Sequence, residues 1–254
     1  MFVRHGESTW NDANRFTGWH DVPLSAAGEA QALQAARAVQ GANVCFDAVF
    51  TSTLKRTIKT AWIMLEQMDA FTLPVEKAWQ LNERMYGALT GLNKADTRAA
   101  IGDDAFEELR KVPPPIGADS CFDPSRRSRF ADVPREALPV AESFEDTRDR
   151  VMPYWRDVIL PRALEGETVL VISSKNLLRA LLMGISSHVP TEQLVDLEIP
   201  NGVPLVFEPR SGQLTPLEEP QGPAEDGGAA AAPVLAGSVW EALAAGPGHL
   251  MAEE

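Results

Sequence analysis

The sequence predicts an α/β fold, a single domain built on a mostly parallel central sheet with helices on both faces. Two strand-loop-helix units carry that reading. Phe46 to Phe50 runs through Thr51-Ser52 into LKRTIKTAWIMLEQM, and TVLVIS after Gly166 runs into NLLRALLMGI. Strands that alternate with helices pair in parallel, because each crossover is long enough to lay a helix over the sheet. Size is the third observation: 254 residues, 44% of them hydrophobic, suffice for one sizeable core.

The elements follow in chain order. Met1, Phe2 and Val3 form a short first strand ahead of Arg4. GEAQALQAARAVQ, Gly28 to Gln40, is alanine-rich with helical spacing, and Ser25 is placed to cap it. The segment ESFEDTRDRVMPYWRDVILPRAL reads as a further helix despite Pro153. Asp96 to Leu138 carries Pro113-Pro114-Pro115, many charges and little periodicity. It reads as an excursion over the sheet that suits a lid, with a disordered linker as the alternative. After Leu217 the composition turns to EEPQGPAEDGGAAAAP, too poor in apolar surface to fold alone, so the domain spans residues 1–217 and a tail spans 218–254. Within the tail, Val234 to Gly246 has a roughly helical apolar pattern that suits docking on this chain or on a protein partner; an unstructured end is the alternative.

Composition narrows the function. With 36 acidic against 23 basic residues the net charge is −13, which argues against nucleic acid and anionic membranes as partners. No apolar run reaches 18 residues, so no spanning helix is expected, and the opening MFVRHGE has no leader pattern. Cys45 and Cys121 lack metal-type spacing and read as small buried hydrophobes.

Ligands of such sheets gather at the carboxyl ends of the strands, where the loops after Val3, Phe50 and Ile172 converge. Those loops carry Arg4-His5-Gly6-Glu7, Lys55-Arg56 and Lys175. A histidine presenting a neutral ring nitrogen beside arginines that clamp oxyanions is the equipment of phosphoryl transfer. Gly6 lets the backbone approach a ligand closely.

Longer stretches point the same way. RHGESTWN (Arg4 to Asn11), NRFTGWHDVPLSAAG (Asn14 to Gly28), TSTLKRT (Thr51 to Thr57), LNERMYGALTGLNK (Leu81 to Lys94), ESFEDTRDRVMPYW (Glu142 to Trp155) and IPNGVPLVFE (Ile199 to Glu208) occur in this order. Together they resemble cofactor-dependent phosphoglycerate mutase, a branch of the histidine phosphatase superfamily, over roughly the first 215 residues. The resemblance implies that His5 carries the phosphoryl group, that Arg4, Asn11, Thr17, Gly18 and Arg56 bind phosphate oxygens, and that Glu83 shuttles the substrate hydroxyl proton. It further implies that Arg84, Tyr86 and Lys94 hold the phosphoglycerate, with Arg110 and Lys111 where the family has paired arginines. Implied too are 2,3-bisphosphoglycerate as phosphoryl donor, no metal, a phosphoglycerate-type ligand, a homo-oligomer, and a cytoplasmic setting or, with a presequence upstream, an organellar one.

The departures bear on activity. Where the family has Ala-His-Gly-Asn after the late strand, this chain has Ser173-Ser174-Lys175-Asn176, so Ser174 replaces the second active-site histidine and Lys175 the glycine. His20, His188 and His249 are no motif-matched substitutes, and His20 reads as a solvent-facing residue. Losing one preorganised donor costs about 10² to 10³ in rate, and Lys175 compensates at best in part. Met85 and Gln31 also differ from the family pattern, as neutral packing changes or as further decay. Two readings follow. One is an impaired enzyme or a pseudoenzyme with a binding or structural role in a larger assembly; the alternative is a working mutase interconverting 3- and 2-phosphoglycerate through phospho-His5.

Overall fold

The computed structural model describes residues 1–117, 119–185, 191–210 and 213–216. Strands β1 (Phe2–Arg4), β2 (Ala48–Thr51), β3 (Val75–Lys77), β4 (Val169–Ser173) and β5 (Pro204–Leu205) form one sheet in the order β3-β2-β4-β1-β5. Every pairing is parallel except that of β1 with β5. Residues Phe207–Arg210 (β6) and Gln213–Pro216 (β7) form a separate antiparallel ribbon.

Both faces of the sheet are buried, and side-chain alternation divides the core accordingly. Phe2, Ala48, Phe50, Val169 and Val171 point to one face, where they meet Val151, Trp155, Leu178, Leu181 and Leu182. Val3, Val49, Leu170 and Ile172 point to the other and meet Ala35, Ala36, Val39, Ala61, Met64 and Leu65. The covering helices on this second face are α2 (Ala26–Gly41) and α3 (Lys55–Gln67), preceded in the chain by the single turn α1 (Thr9–Asp12). Ser25 caps α2 as its position foretold, accepting a hydrogen bond from Gly28 N.

Gly28 has a second duty. A Cβ on Gly28 would lie 2.0 Å from Glu7 O, and one on Gly6 would lie 2.0 Å from Gly28 O. Gly6 therefore serves backbone-to-backbone packing of the loop after β1 against the start of α2, a use in addition to the ligand approach read from sequence.

The segment around Asp96 to Leu138 departs from its reading as an aperiodic excursion. It contains α4 (Lys94–Ile101) and α5 (Asp103–Lys111), followed by short 3₁₀ turns between Pro124 and Ala137. Asn93 caps α4 by accepting from Ala95 N and Asp96 N, and Gly102 at φ 85° separates the two helices. The excursion is packed down: Phe106 of α5 meets Phe16, Tyr86 and Leu89, while Ile116, Phe130 and Leu138 meet Trp19 and Met85.

The helix through Pro153 also has a finer structure than its sequence reading. It runs as α6 (Phe144–Tyr154), a π-helical turn Trp155–Ile159, and α7 (Leu160–Leu164). Ser143 and Asp146 form a capping box at its start. Pro153 and Pro161 each remove an amide donor, and a wider turn between them lets the axis continue. After β4 come α8 (Lys175–Ile185) and α9 (Thr191–Asp196).

Two cysteine readings are corrected, since Cys45 and Cys121 are both exposed. Each lies in a connecting segment, and such segments run over the surface whatever their side chains. The tail, with the docking helix read over 234–246, and also His188 and His249, lie outside the described residues. Among the described residues no helix is long and apolar enough to cross a membrane.

Candidate active site

The three loops converge as the topology requires. Arg4 pairs in register with Ser173, Thr51 with Ile172, and His5 N donates to Ser173 O at 2.9 Å, carrying the parallel ladder one step past the strand end. This places His5 at the meeting point of β1, β4 and the start of α3.

His5 is 3% exposed. Its Nδ1 lies 2.6 Å from Gly6 O. A carbonyl can only accept, so Nδ1 carries the proton and Nε2 keeps its lone pair. Arg56 Nε donates to that Nε2 at 3.1 Å. Burial first, then the charges of Arg56 and Arg4, hold the imidazole well below the ordinary histidine range, so the ring is neutral at physiological pH. Its backbone oxygen accepts from Asn201 Nδ2 at 2.6 Å.

Arg56 is fixed through every arm. Beyond His5, its Nη1 donates to His20 O at 3.0 Å and its Nη2 to Gly18 O at 2.8 Å. Burial lowers its pKa to about 10, which still leaves it charged. The loop supplying those carbonyls includes Thr17, which is buried, and Gly18 at φ 53°. His20 is only partly exposed: its ring stacks on Trp10 at 4.4 Å and meets Phe122 edge-on at 5.0 Å. Asn11 sits close by in a capping box, its Oδ1 accepting from Ser8 N at 3.0 Å.

The altered corner lies after β4. Ser174 is fully buried, and among the described residues neither its Oγ nor the buried Nε of Arg4 has a hydrogen-bond partner. Lys175 opens α8 and sends its Nζ to Glu198 at 3.1 Å. Glu198 also faces Arg4 Nη1 at 3.5 Å and Arg179 Nη2 at 4.0 Å. Asn176 donates to the Tyr86 hydroxyl and accepts from Arg179 Nη1 at 3.1 Å. Burial, then the charge of Glu83, pushes the Tyr86 hydroxyl up, so it stays protonated.

Glu83 is buried, and its Oε1 accepts from Arg84 N at 2.8 Å. Arg84 is buried as well, its guanidinium 4.5 Å from the Phe144 ring centroid and 4.9 Å from that of Tyr86, with Nη1 donating to Arg110 O at 2.9 Å. Lys94 is half-buried, with its ammonium 5.6 Å from the Phe16 ring centroid. Burial, then Lys175 and Arg110, lower its pKa, which places it among the site's cations. Arg110 pairs with Glu107 at 2.8 Å. Lys111 does not join the cluster: it is exposed and paired with Glu108 at 2.7 Å on the outer face of α5.

Sequence reasoning missed three contributors. Glu198 and Asn201 lie in IPNGVPLVFE or directly beside it, and only the fold brings them to the histidine loop. The third is the buried pair Arg150–Glu142 at 2.5 Å. Arg150 also donates to Gln80 O at 2.7 Å, Asn82 O at 3.2 Å and Glu83 O at 3.3 Å, while Glu142 Oε2 accepts from Met85 N at 2.8 Å. This staple fixes the loop that presents Glu83. An Arg eight residues after a Glu, across a helix start, was the only signal, and many surface pairs share it.

Cations thus dominate the pocket of a chain whose overall charge is −13. Among the described residues no group of three or more His, Cys, Asp or Glu side chains gathers as metal ligands would.

The family model of the histidine phosphatase superfamily (branch 1) matches residues 1–121 and 118–218. Similar solved structures include YhfR of Bacillus stearothermophilus, 23% identical, with the match covering 86% of this chain and 94% of that one at a TM-score of 0.65. The α-ribazole phosphatase of Shigella flexneri is 22% identical over 85% of this chain and 93% of its own, with a TM-score of 0.61. A phosphoglycerate mutase of Bacillus anthracis is 23% identical over 85% and 89%, with a TM-score of 0.59. At these identities the likeness to solved structures is one of fold.

Proposed function

Because the chain belongs to the histidine phosphatase superfamily, branch 1, we propose that it is a phosphoglycerate-mutase-like phosphoryl-transfer protein, impaired by the loss of its second histidine. In this reading His5 still accepts a phosphoryl group, and the step that passes it on is slow. The observation that carries it is the pairing of an intact nucleophile, neutral and correctly tautomeric, with a buried Ser174 Oγ that has no partner among the described residues, at the corner where the second histidine stands in the family.

The chemistry follows from the contacts. His5 Nε2 attacks the phosphorus of a phosphomonoester, the N–P bond forms and the ester P–O bond breaks. As it attacks, Arg56 Nε–H turns from the ring nitrogen to a phosphoryl oxygen. The departing alkoxide takes a proton from the Glu83 carboxyl group, and in the reverse step a hydroxyl attacking phosphohistidine returns one to it. If the hydroxyl is the substrate's the outcome is a mutase; if it is water, a phosphatase. Ser174 can donate one hydrogen bond to the phosphoryl oxygens but brings no charge. The shortfall against histidine is roughly 3 to 4 kcal/mol of transition-state stabilisation.

The pocket suits a multiply anionic ligand. Lys94 feels the charges of Lys175, Arg110 and Arg4 together, and among the described residues Ser174 Oγ and Arg4 Nε have no acceptor. A bisphosphorylated donor of the 2,3-bisphosphoglycerate type would supply the phosphoryl group that charges His5.

A coupled assay with 2,3-bisphosphoglycerate and 3-phosphoglycerate tests the reading against Ser174→His. Turnover of the natural chain is expected to be low, and the substitution to raise it by about 10-fold or more, a part of the donor's usual worth. Rapid turnover by the natural chain would remove the impairment, and no response to Ser174→His would remove its cause.

A further inference from the structure

We propose that the Glu198 carboxylate is an internal anion seated in the phosphoryl corner, displaced when a ligand's own anionic group arrives, and that the Lys175 it releases becomes that group's cation. The inference rests on the reading of this pocket as a phosphoryl site.

Three cations from two elements converge on this carboxylate: Arg4 from the end of β1, and Lys175 and Arg179 from α8. Arg4 Nη1 and Lys175 Nζ share one oxygen, Oε1, at 3.5 and 3.3 Å. The partners are unequally placed. The side chains of Arg4 and Arg179 are 11% and 7% exposed, whereas that of Glu198 is 63% exposed. A buried salt bridge shields both charges; here the carboxylate reaches in from solvent and covers a nest of buried cations.

The backbone allows the side chain to leave. Leu197 and Ile199 on either side are buried, so the chain is anchored at both neighbours, and only the exposed carboxylate need swing. The contacts it gives up are cheap, since an ion pair with one partner in solvent is worth about 0 to 1 kcal/mol.

What lies beneath is built for an oxyanion. The Oγ of Ser174 and the Nε of Arg4 are buried donors with no acceptor among the described residues. The positive end of the eleven-residue helix α8 opens at Lys175, directly after Ser174. A carboxylate entering from solvent neutralises the outer cations and leaves these inner donors unmet. A phosphoryl group, with three oxygens, can meet both sets. Lys175 feels the crowding of like charge: burial, then Arg4 and Arg179, lower its pKa, and Glu198 only partly offsets them.

The test is calorimetric binding of inorganic phosphate to the full chain and to Glu198→Gln, Lys175→Gln and the double variant. Removing the competing carboxylate is expected to tighten phosphate binding about 5- to 10-fold, the scale of one screened charge contact. Lys175→Gln should weaken it several-fold, and in the double variant the gain from Glu198→Gln should shrink. Phosphate affinity unchanged or reduced in Glu198→Gln would overturn the proposal, as would a Lys175→Gln variant that binds as the natural chain does. A circular-dichroism melt verifies that each variant is folded. Because phosphate binding requires no chemistry at His5, a chain that fails to form phosphohistidine yet tightens in Glu198→Gln separates the failure of the catalytic reading from that of the displaced carboxylate.

Discussion

At the scale of single residues, the chemistry depends on His5 being kept neutral. Its ordinary pKa of 6.5 is pushed well down by burial and by two arginines. The consequence for stability has a definite sign. As the pH falls through 6.5 the unfolded chain takes up a proton on this ring that the folded site refuses, so the folded state loses stability on the acid side and regains it above that pH. A His5→Asn variant, which has no such proton to bind, should show a smaller fall in urea midpoint between neutral and mildly acidic pH; an identical fall would mean that the ring is not held neutral. His5, Arg4 and Arg56 were legible from sequence because each sits at or directly after a strand end or at the first turn of a helix, where topology alone dictates convergence. Glu198 was not. It lies 23 residues beyond Lys175, and nothing local to either side chain specifies the other. The burial of Cys45 and Cys121 was misread for a related reason, since residue type gives a preference and the path of the connecting chain decides.

At the scale of elements, the loop that presents Glu83 owes its shape to the buried Arg150–Glu142 pair between it and α6. Their side chains are 7% and 3% exposed. Removing one member of such a pair leaves the other charge stranded, at a cost of about 3 to 5 kcal/mol. Arg150→Met should therefore lower the urea midpoint strongly and reduce any turnover, since the Glu83 loop loses the ties from Arg150 to Gln80 O, Asn82 O and Glu83 O and keeps only Trp19 Nε1 on the Glu83 carbonyl. A variant as stable and active as the parent would show that the staple is dispensable. Strand-loop-helix units were legible here because hydrophobic period and N-caps such as Ser25 agree with the tertiary arrangement. Helices α4 and α5 were hidden by charge and by the nearby prolines, although Asn93 and Gly102 bracket α4 with a start and a stop. The π-helical turn between Pro153 and Pro161 reflects a compromise between proline chemistry and the packing of Trp155 and Ile159, and packing partners are invisible to a local reading.

At the scale of the whole molecule, an acidic chain folds so that a group of its cations gathers at one end of a mostly parallel sheet, around a neutral histidine whose Nε2 lone pair accepts from Arg56. The family match over residues 1–121 and 118–218 and the sheet order agree with that architecture. The central claim is that loading of His5 survives and onward transfer suffers. It is tested most directly by rapid-quench trapping of the phosphoenzyme after mixing with radiolabelled 2,3-bisphosphoglycerate, followed by a chase with unlabelled 3-phosphoglycerate. Label on His5 that forms readily and decays slowly, and decays faster in Ser174→His, is the predicted result. A chain that takes up no label, or one whose label chases as quickly in the natural protein as in Ser174→His, would contradict the account.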